Sequence, residues 1–391
     1  MSAKSNSIET ILEDSARTES SKPSGKWVEN IPTPCVSNHA SNLIELSNGD
    51  LACTWFAGSQ EGASDVDIYL SLKPAGQDHW EMARKISGDP QRSEQNPFLF
   101  EMKKGEVWLV HTAQLTRGCT AAEWRAKVER GEAQGHFTMQ DTAFIRYWVS
   151  RDYCRSFEGP FMLFEKSGSF CRQPFVRLSN GDLILGMWYS VADGAEGESY
   201  GGDYAVVQIS GDEGKTWTEY PVPGSRGRVH MSIVELSGNH LAAFFRSRSA
   251  DCIYRSESKD NGRSWSVPVR TELPNNNASI QAKKLQNGDI VMIYNHSGDP
   301  ARDPNKTCWP RFSRFPVTVA ISRDGGLSWP WIRHIHPGDG WAGEANRHLN
   351  REFSYPSIME GSDGNLHMSY TCDGRACIQY VRVDKRFIYG E

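Results

Sequence analysis

The sequence predicts an all-β fold, a β-propeller with six countable blades, and three observations predict it. One nine-residue phrase recurs along the 391-residue chain. A second phrase, two apolar stretches meeting at a glycine turn, interleaves with the first. Hydrophobic residues make up only 38%, yet the chain carries 13 Trp, 13 Tyr and 16 Phe, which suits small stacked sheets that bury large rings between them. Internal repetition of this kind decides the architecture before any single element does.

The first phrase is cleanest at Ile321-Ser-Arg-Asp324-Gly-Gly-Leu-Ser-Trp329. It returns as Ile209-Ser-Gly-Asp212-Glu-Gly-Lys-Thr-Trp217 and Glu257-Ser-Lys-Asp260-Asn-Gly-Arg-Ser-Trp265, and in worn form as Val149-Ser-Arg-Asp152-Tyr-Cys-Arg-Ser-Phe157. The pattern suits a tight turn. Asp can accept bonds from backbone N–H groups of its own loop, Gly supplies a positive φ, and Trp covers the hairpin base. Asp212, Asp260 and Asp324 are therefore expected to be turn formers.

The second phrase reads Ile44-Glu-Leu-Ser-Asn-Gly49-Asp-Leu-Ala and Val176-Arg-Leu-Ser-Asn-Gly181-Asp-Leu-Ile, with further copies at Gly238 and Gly288 and weaker ones at Gly105 and Gly364. Apolar strands meeting at Asn-Gly or Asp-Gly are a strong hairpin signal. Six such hairpins imply six blades. Two intervals are long enough to leave room for a seventh, but each holds a polar insertion. Residues 119–133 are rich in helix formers, and residues 299–315 form a loop of Pro, Asp and Arg. Inserts on a repeat fold tend to gather on its functional face.

Residues 1–26, Ser-, Glu- and Lys-rich, read as a flexible leader, and residues 27–391 as a single propeller domain. The N-terminus has no apolar segment of the kind a signal peptide carries, which predicts a cytoplasmic protein unless export takes an unconventional route. No apolar run is long enough to span a membrane. A net charge of −5 gives no reason to expect nucleic acid or an anionic membrane as partner. A monomer is expected. Nine cysteines show no metal spacing, and Cys372-x4-Cys377 stands alone. Cys171 and Cys252 lie in strand-like runs and read as buried thiols.

The recurring phrase resembles the Asp box of sialidase-like (BNR-repeat) β-propellers. The likeness extends over most of the chain from Trp27, through Ser37-Asn-His39-Ala-Ser-Asn, Thr54-Trp-Phe-Ala-Gly-Ser-Gln-Glu61-Gly, Arg228-Val-His230, Phe244-Phe-Arg246-Ser-Arg248, Arg314-Phe-Pro and Glu352-Phe-Ser-Tyr355. In such families the Asp boxes lie away from the active site. The resemblance implies a carbohydrate enzyme but does not fix the reaction. Sialidases clamp a sialic carboxylate with three arginines and use a Tyr nucleophile assisted by Glu, with an Asp acid. Arg172, Arg246 and Arg314 could be the arginines, Tyr355 with Glu352 the nucleophile pair, and Asp65 the acid. The Arg-Ile-Pro motif that opens sialidases is absent; Asn30-Ile-Pro stands near its place.

Two histidines, His111 closing a strand and His136 closing the helical insert, resemble propeller polysaccharide lyases, most nearly the L-rhamnose-α-1,4-D-glucuronate lyases described from fungal-type enzymes. That resemblance implies β-elimination from a uronate-containing glycan, with release of a terminal sugar such as L-rhamnose. A base takes the C5 proton, a cation neutralises the carboxylate, and an acid protonates the departing C4 oxygen. Imidazole suits proton transfer and the planar guanidinium suits the carboxylate. The expected catalytic set is His111, His136, Arg246, Tyr189 and Tyr355. The expected substrate-binding set is His39, Arg172, His230, Asn276, Asn277, Gln281, Arg314 and Glu352. No cofactor or catalytic metal is required, and a structural calcium ion would have no dedicated ligand cluster. The rivals are a sialidase-like exo-glycosidase and a non-catalytic sugar-binding propeller.

Overall fold

A computed structural model describes residues 25–191, 201–309, 314–338 and 352–390. It contains six antiparallel sheets, so the six hairpins counted in the sequence each mark one blade. Blade 1 runs outward through Ser37–Glu45, Leu51–Gly58, Asp67–Lys73 and Arg84–Lys85; blade 2 through Arg92–Lys103, Glu106–Leu115, Phe144–Ser150 and Glu158–Phe164. In blade 3 two short pieces, Ser169–Phe170 and Val176–Arg177, both pair with Leu183–Tyr189, followed by Tyr204–Ser210 and Thr218–Pro221. Blade 4 is Arg228–Ser237, His240–Ser247, Cys252–Ser258 and Val269–Pro274. Blade 5 is Gln281–Lys284, Ile290–Asn295, Val317–Ser322 and Trp331–His336.

Blade 6 closes the ring with strands from both ends of the described chain. Ser354–Glu360, Leu366–Cys372 and Cys377–Val383 are completed by Lys26–Ile31, which pairs antiparallel with Cys377–Val383. The leader expected over residues 1–26 therefore falls almost wholly outside the described residues, and Lys26 already opens a strand.

Six hydrophobic clusters fill the six interfaces between neighbouring blades. Leu70 of blade 1 joins Leu99 and Leu109 of blade 2, and Phe244 of blade 4 joins Met292 and Trp329 of blade 5. Both faces of each inner sheet are covered, which is why strands such as Leu183–Tyr189 are buried throughout instead of alternating.

The Asp boxes join the third and fourth strands of blades 2 to 5. In blade 4, Ser258 Oγ donates to Asp260 Oδ1 at 2.8 Å, the same oxygen accepts from Ser264 N at 2.9 Å, and Trp265 Nε1 donates to Gly262 O at 2.9 Å. Asp212 repeats the arrangement in full, Asp324 repeats it except for the Trp bond, Trp329 Nε1 being buried without a partner, and Asp152 keeps all but the Trp. These aspartates are turn formers, as their residue types implied. Where the box keeps its Trp, burying that ring removes up to roughly 200 Å² from water, an upper limit of about 5 kcal/mol per box.

The expected helix is present as Ala121–Glu129, opened by a capping box between Thr120 and Glu123. A second short helix, Lys385–Tyr389, packs under blade 5 and was not expected. No helix among the described residues is long and apolar enough to cross a membrane. Cys171 and Cys252 are buried free thiols, whereas Cys372 and Cys377 form a disulfide, which their isolation had not suggested.

Candidate active site

Four of the six innermost strands, those of blades 1, 2, 4 and 6, share one irregularity that aims side chains at the axis. Ala40, Asn96, His230 and Tyr355 each have a left-handed backbone, with φ of 61°, 51°, 53° and 51°. Each sits where the pairing of its strand with the next one slips: between His39 and Asn42, Gln95 and Phe98, Val229 and Ser232, and Ser354 and Ser357. Non-glycine residues hold this conformation at a cost of about 1–2 kcal/mol, and bulges that re-aim side chains cluster beside active sites.

Three of these bulges, at Asn96, His230 and Tyr355, line a partly open cavity of about 80 Å³, which is bounded also by Glu61, Trp188, Arg246 and Arg314, with Arg248, Trp309 and Arg375 in its wall. Arg246 is its centre. It is 1% exposed. Its Nε donates to Asn277 Oδ1 at 2.8 Å, and its Nη1 reaches both His230 Nε2 at 3.0 Å and the Tyr355 hydroxyl. Nη2 is buried without a hydrogen-bond partner. Its neighbours are differently placed: Arg248 is paired with Asp203 at 2.6 Å, and Arg314 is held by Glu352. The unanswered guanidinium edge is thus the feature of the cavity that calls for an anion.

Tyr355 lies beneath this charge. Burial alone would raise its pKa, but Arg246 and Arg314 outweigh burial and hold the phenol below the ordinary tyrosine value. His39 packs on its ring at 4.2 Å between centroids with the planes tilted by 37°, and His230 meets it edge-on at 5.4 Å. Both imidazoles are pushed well below their usual pKa, first by burial and then by nearby arginines, so both are neutral at neutral pH. Because His230 Nε2 accepts from Arg246, its proton sits on Nδ1 and is donated to Ser279 Oγ at 2.9 Å.

One further cation arrives from an unexpected place. Arg375 stands in the turn closed by the Cys372–Cys377 disulfide, where Asp373, Gly374 and Arg375 all have positive φ. Asn38 Nδ2 donates to Ala376 O at 3.2 Å and fastens that turn to blade 1. Arg375 then bridges Glu352 at 3.1 Å and Glu61 at 2.6 Å.

Of the expected site residues, His230, Arg246, Arg314 and Tyr355 line the cavity. His39, Glu352 and Asn277 support it: Glu352 is occupied by Arg314 and Arg375, and Asn277 holds Arg246 in place. Arg172 is a correction to the expected arginine trio. It lies behind the cavity, with Nη2 donating to Ser41 O at 2.8 Å and to Tyr355 O at 3.0 Å, and Arg375 takes the third place at the wall.

Other expectations fail more fully. His111 is wholly buried within blade 2, where Trp148 Nε1 donates to its Nε2 at 3.3 Å and Glu94 lies 3.8 Å away, so no substrate reaches it. The Tyr189 hydroxyl donates to Glu219 and its ring lies under Lys166, away from the cavity. Gln281 ties inner strands together, donating to Gln173 at 2.9 Å and accepting from Ile358 N at 2.6 Å. Asn276 is buried outside the cavity wall. Asp65 is held by Ser59 at 2.8 Å and borders a groove on the flank of blade 1. His136 lies in a second pocket that borders the cavity at Glu61 and Arg375.

Sequence reasoning missed Glu61, Arg375, Arg248, Trp188 and Trp309. A signal existed for one of them: an arginine inside a five-residue Cys–Cys separation is a charge on a short covalent loop. The candidate metal-binding group among the described residues, Cys372, Asp373 and Cys377, has both sulfurs committed to the disulfide.

A sequence profile for the BNR repeat-like domain matches residues 49–368. No curated protein sequence matches the chain. Among solved structures, a Hadza microbial sialidase superposes with a TM-score of 0.68 at 17% identity, covering 90% of this chain and 67% of its own. The leech intramolecular trans-sialidase in complex with 2,7-anhydro-Neu5Ac gives 0.69 at 13% identity, covering 99% and 73%. A protein of unknown function from Dyadobacter fermentans gives 0.67 at 14%, covering 92% and 99%. At these identities the likeness speaks to fold.

Proposed function

The chain belongs to the BNR repeat-like domain family, and from that premise we propose that it is a glycan-cleaving enzyme of the sialidase type, acting on a glycoside whose terminal sugar carries a carboxylate. One observation carries the reading: the buried Arg246 edge with no partner stands over a tyrosine whose phenol the same guanidinium acidifies. The carboxylate docks on Arg246, with Arg314 and Arg375 adding positive potential. Tyr355 reacts as the phenolate, its proton passed to solvent: Oη attacks the anomeric carbon as the bond to the leaving oxygen breaks, and the electron pair goes to that oxygen, which takes a proton from water. Water then reverses the sequence and frees the sugar and Tyr355.

A second reading has one observation in its favour, the two neutral imidazoles packed on Tyr355. They suit proton traffic, and a uronate lyase that frees L-rhamnose from D-glucuronate would use Tyr355 as base at C5 and Arg246 on the carboxylate. The version of that lyase built on His111 is withdrawn, because His111 is sealed inside blade 2. Incubation with a fluorogenic sialoside beside a rhamnose-capped glucuronate glycan separates the readings. Fluorophore release with no new ultraviolet absorbance supports the glycosidase. A rising absorbance from a conjugated double bond selects the lyase, and binding without product on either leaves a sugar-binding propeller.

A further inference from the structure

The inner strand of blade 3 is broken between Phe170 and Val176, and the residues of the break reach other blades. Cys171 N donates to Thr112 Oγ1 of blade 2 at 3.3 Å, and Gln173 Nε2 donates at 2.5 Å to the carbonyl of Ile280, which leads into blade 5. Between them Arg172 reaches blades 1 and 6. It is 1% exposed, and its Nη2 donates to Ser41 O at 2.8 Å and Tyr355 O at 3.0 Å, with Pro356 O at 3.5 Å. Those carbonyls belong to two of the four bulges. Ser41 follows Ala40, and Ala40 and Tyr355 are the left-handed residues, with φ of 61° and 51°. A non-glycine residue keeps such a backbone only where its surroundings hold it. One nitrogen of Arg172 supplies that hold at both bulges, and the bulge at Tyr355 is the one that aims the phenol.

The charge on Arg172 stands without a local counterpart. Among the described residues the ionisable groups that act on it are Tyr355, Cys171 and Cys53, with no carboxylate in the set. Its Nε and Nη1 are buried without a hydrogen-bond partner. Burial pushes both thiols up to about 12, so neither carries a balancing charge at neutral pH. The Arg172 guanidinium lies 5.8 Å from the centre of the Tyr355 ring, against 5.4 Å for Arg246 and 5.2 Å for Arg314. Arg248, Glu61 and the neutral imidazoles of His39 and His230 complete the charged and titratable surroundings of that ring. A buried cation with no carboxylate favours the ionised form of the acid beside it, and the phenolate is the form in which Tyr355 reacts.

We infer that Arg172 is a positioning residue for Tyr355: its Nη2 fixes the bulge that points the phenol into the cavity, and its unbalanced charge backs the ring from outside the cavity wall. The inference rests on the proposed function and deepens it. It replaces the carboxylate-binding part expected of Arg172 from sequence, because Arg172 holds the tyrosine and does not line the cavity.

The test compares Arg172→Gln, which keeps a hydrogen-bond donor without the charge, with Arg172→Lys, which keeps both. Tyrosinate absorbance is titrated in each, as the difference between the protein and its Tyr355→Phe counterpart. The Tyr355 titration should move up by about half a pH unit or more in Arg172→Gln and return toward the wild-type position in Arg172→Lys. On a sialoside, kcat of Arg172→Gln should fall about tenfold or more while KM changes by less than about twofold, the split expected of a residue that aims the reacting group. An unmoved titration in Arg172→Gln overturns the inference, and leaves Arg172 a structural staple where only the urea midpoint falls. A rise in KM with kcat preserved also overturns it and returns Arg172 to carboxylate binding. Should Arg172→Gln fail to fold, Arg172→Lys decides: a titration in the wild-type position supports the inference, and a displaced one overturns it. The titration needs no turnover. A wild type that cleaves no sialoside therefore sinks the glycosidase reading alone, and the absorbance still decides the role of Arg172.

Discussion

His230 and Tyr355, 125 residues apart in sequence, hold matching bulge positions in blades 4 and 6 and meet through a single nitrogen, Nη1 of Arg246. Their rings stand edge to face with centroids 5.4 Å apart. The contact fixes the His230 tautomer, acidifies the phenol and leaves the far edge of Arg246 open to the cavity. Removing the Tyr355 hydroxyl should therefore stop chemistry without disturbing blade packing. In Tyr355→Phe, kcat should fall by roughly a thousandfold or more, with an unchanged circular dichroism spectrum.

The buried neutral histidines of the site, His39 and His230, together with His111 of blade 2, which burial lowers to about 3, predict an acid sensitivity. In the unfolded chain His39 and His230 take up protons near pH 6.5, while in the fold their pKa values are depressed well below that. The unfolded state then binds more protons, so stability falls as pH falls below about 6.5, by up to about 1.4 kcal/mol per pH unit for each histidine. Glu94, raised to about 7 by burial, works in the opposite direction between its unfolded value and pH 7. Urea titrations from pH 7.5 to 5 should show a shallower pH slope in His230→Gln than in the wild type.

Activity should carry the signature of Tyr355 itself. Because Arg246 and Arg314 lower its pKa, the deprotonated phenol gains population below pH 10, and the rate should rise with pH until that lowered value is passed. Replacing Arg314 with Gln removes one of the two cations and should move this rising limb toward higher pH. A limb that stays in place would remove Tyr355 as the titrating group.

Reduction of the Cys372–Cys377 disulfide releases the turn that presents Arg375. Three consecutive left-handed residues have little local reason to hold that shape alone. Arg375 should lose its grip on Glu61 and Glu352, so KM should rise severalfold in Cys372→Ser/Cys377→Ser while the blades stay folded. Steady-state kinetics with and without a thiol reductant check this on the wild-type protein.

The Asp boxes should affect stability alone. Asp260→Ala removes the acceptor for Ser264 N, Ser264 Oγ and Ser258 Oγ, and should cost about 2–3 kcal/mol in urea unfolding with kcat unaltered.

The repeats made the blades legible because each is a local sentence: Ser258, Asp260, Gly262 and Trp265 settle their turn among themselves. Arg246 was also readable, as a charge inside an apolar strand, and Tyr355 and Arg314 through the likeness to sialidase motifs. What stayed hidden depends on register. His111 looked like a rim residue because it ends an apolar run, yet the next blade strand covers it and Trp148 caps it. Arg172 looked equivalent to Arg246, but one lies behind Tyr355 and the other in front. Arg375 was obscured because its position depends on three unusual backbone angles as well as on the disulfide, and the Cys–Cys spacing hints only at the second.

If Tyr355 is the reacting group, a covalent glycosyl-enzyme forms on its Oη, which intact-mass spectrometry can detect. The protein would be incubated with a sialosyl fluoride carrying a second fluorine beside the anomeric carbon, which slows release of a covalent intermediate. The expected result is a one-sugar mass increase that maps to the peptide containing Tyr355 and is missing in Tyr355→Phe. A sialoside turned over at the wild-type rate by Tyr355→Phe, or an adduct on any other residue, would contradict it.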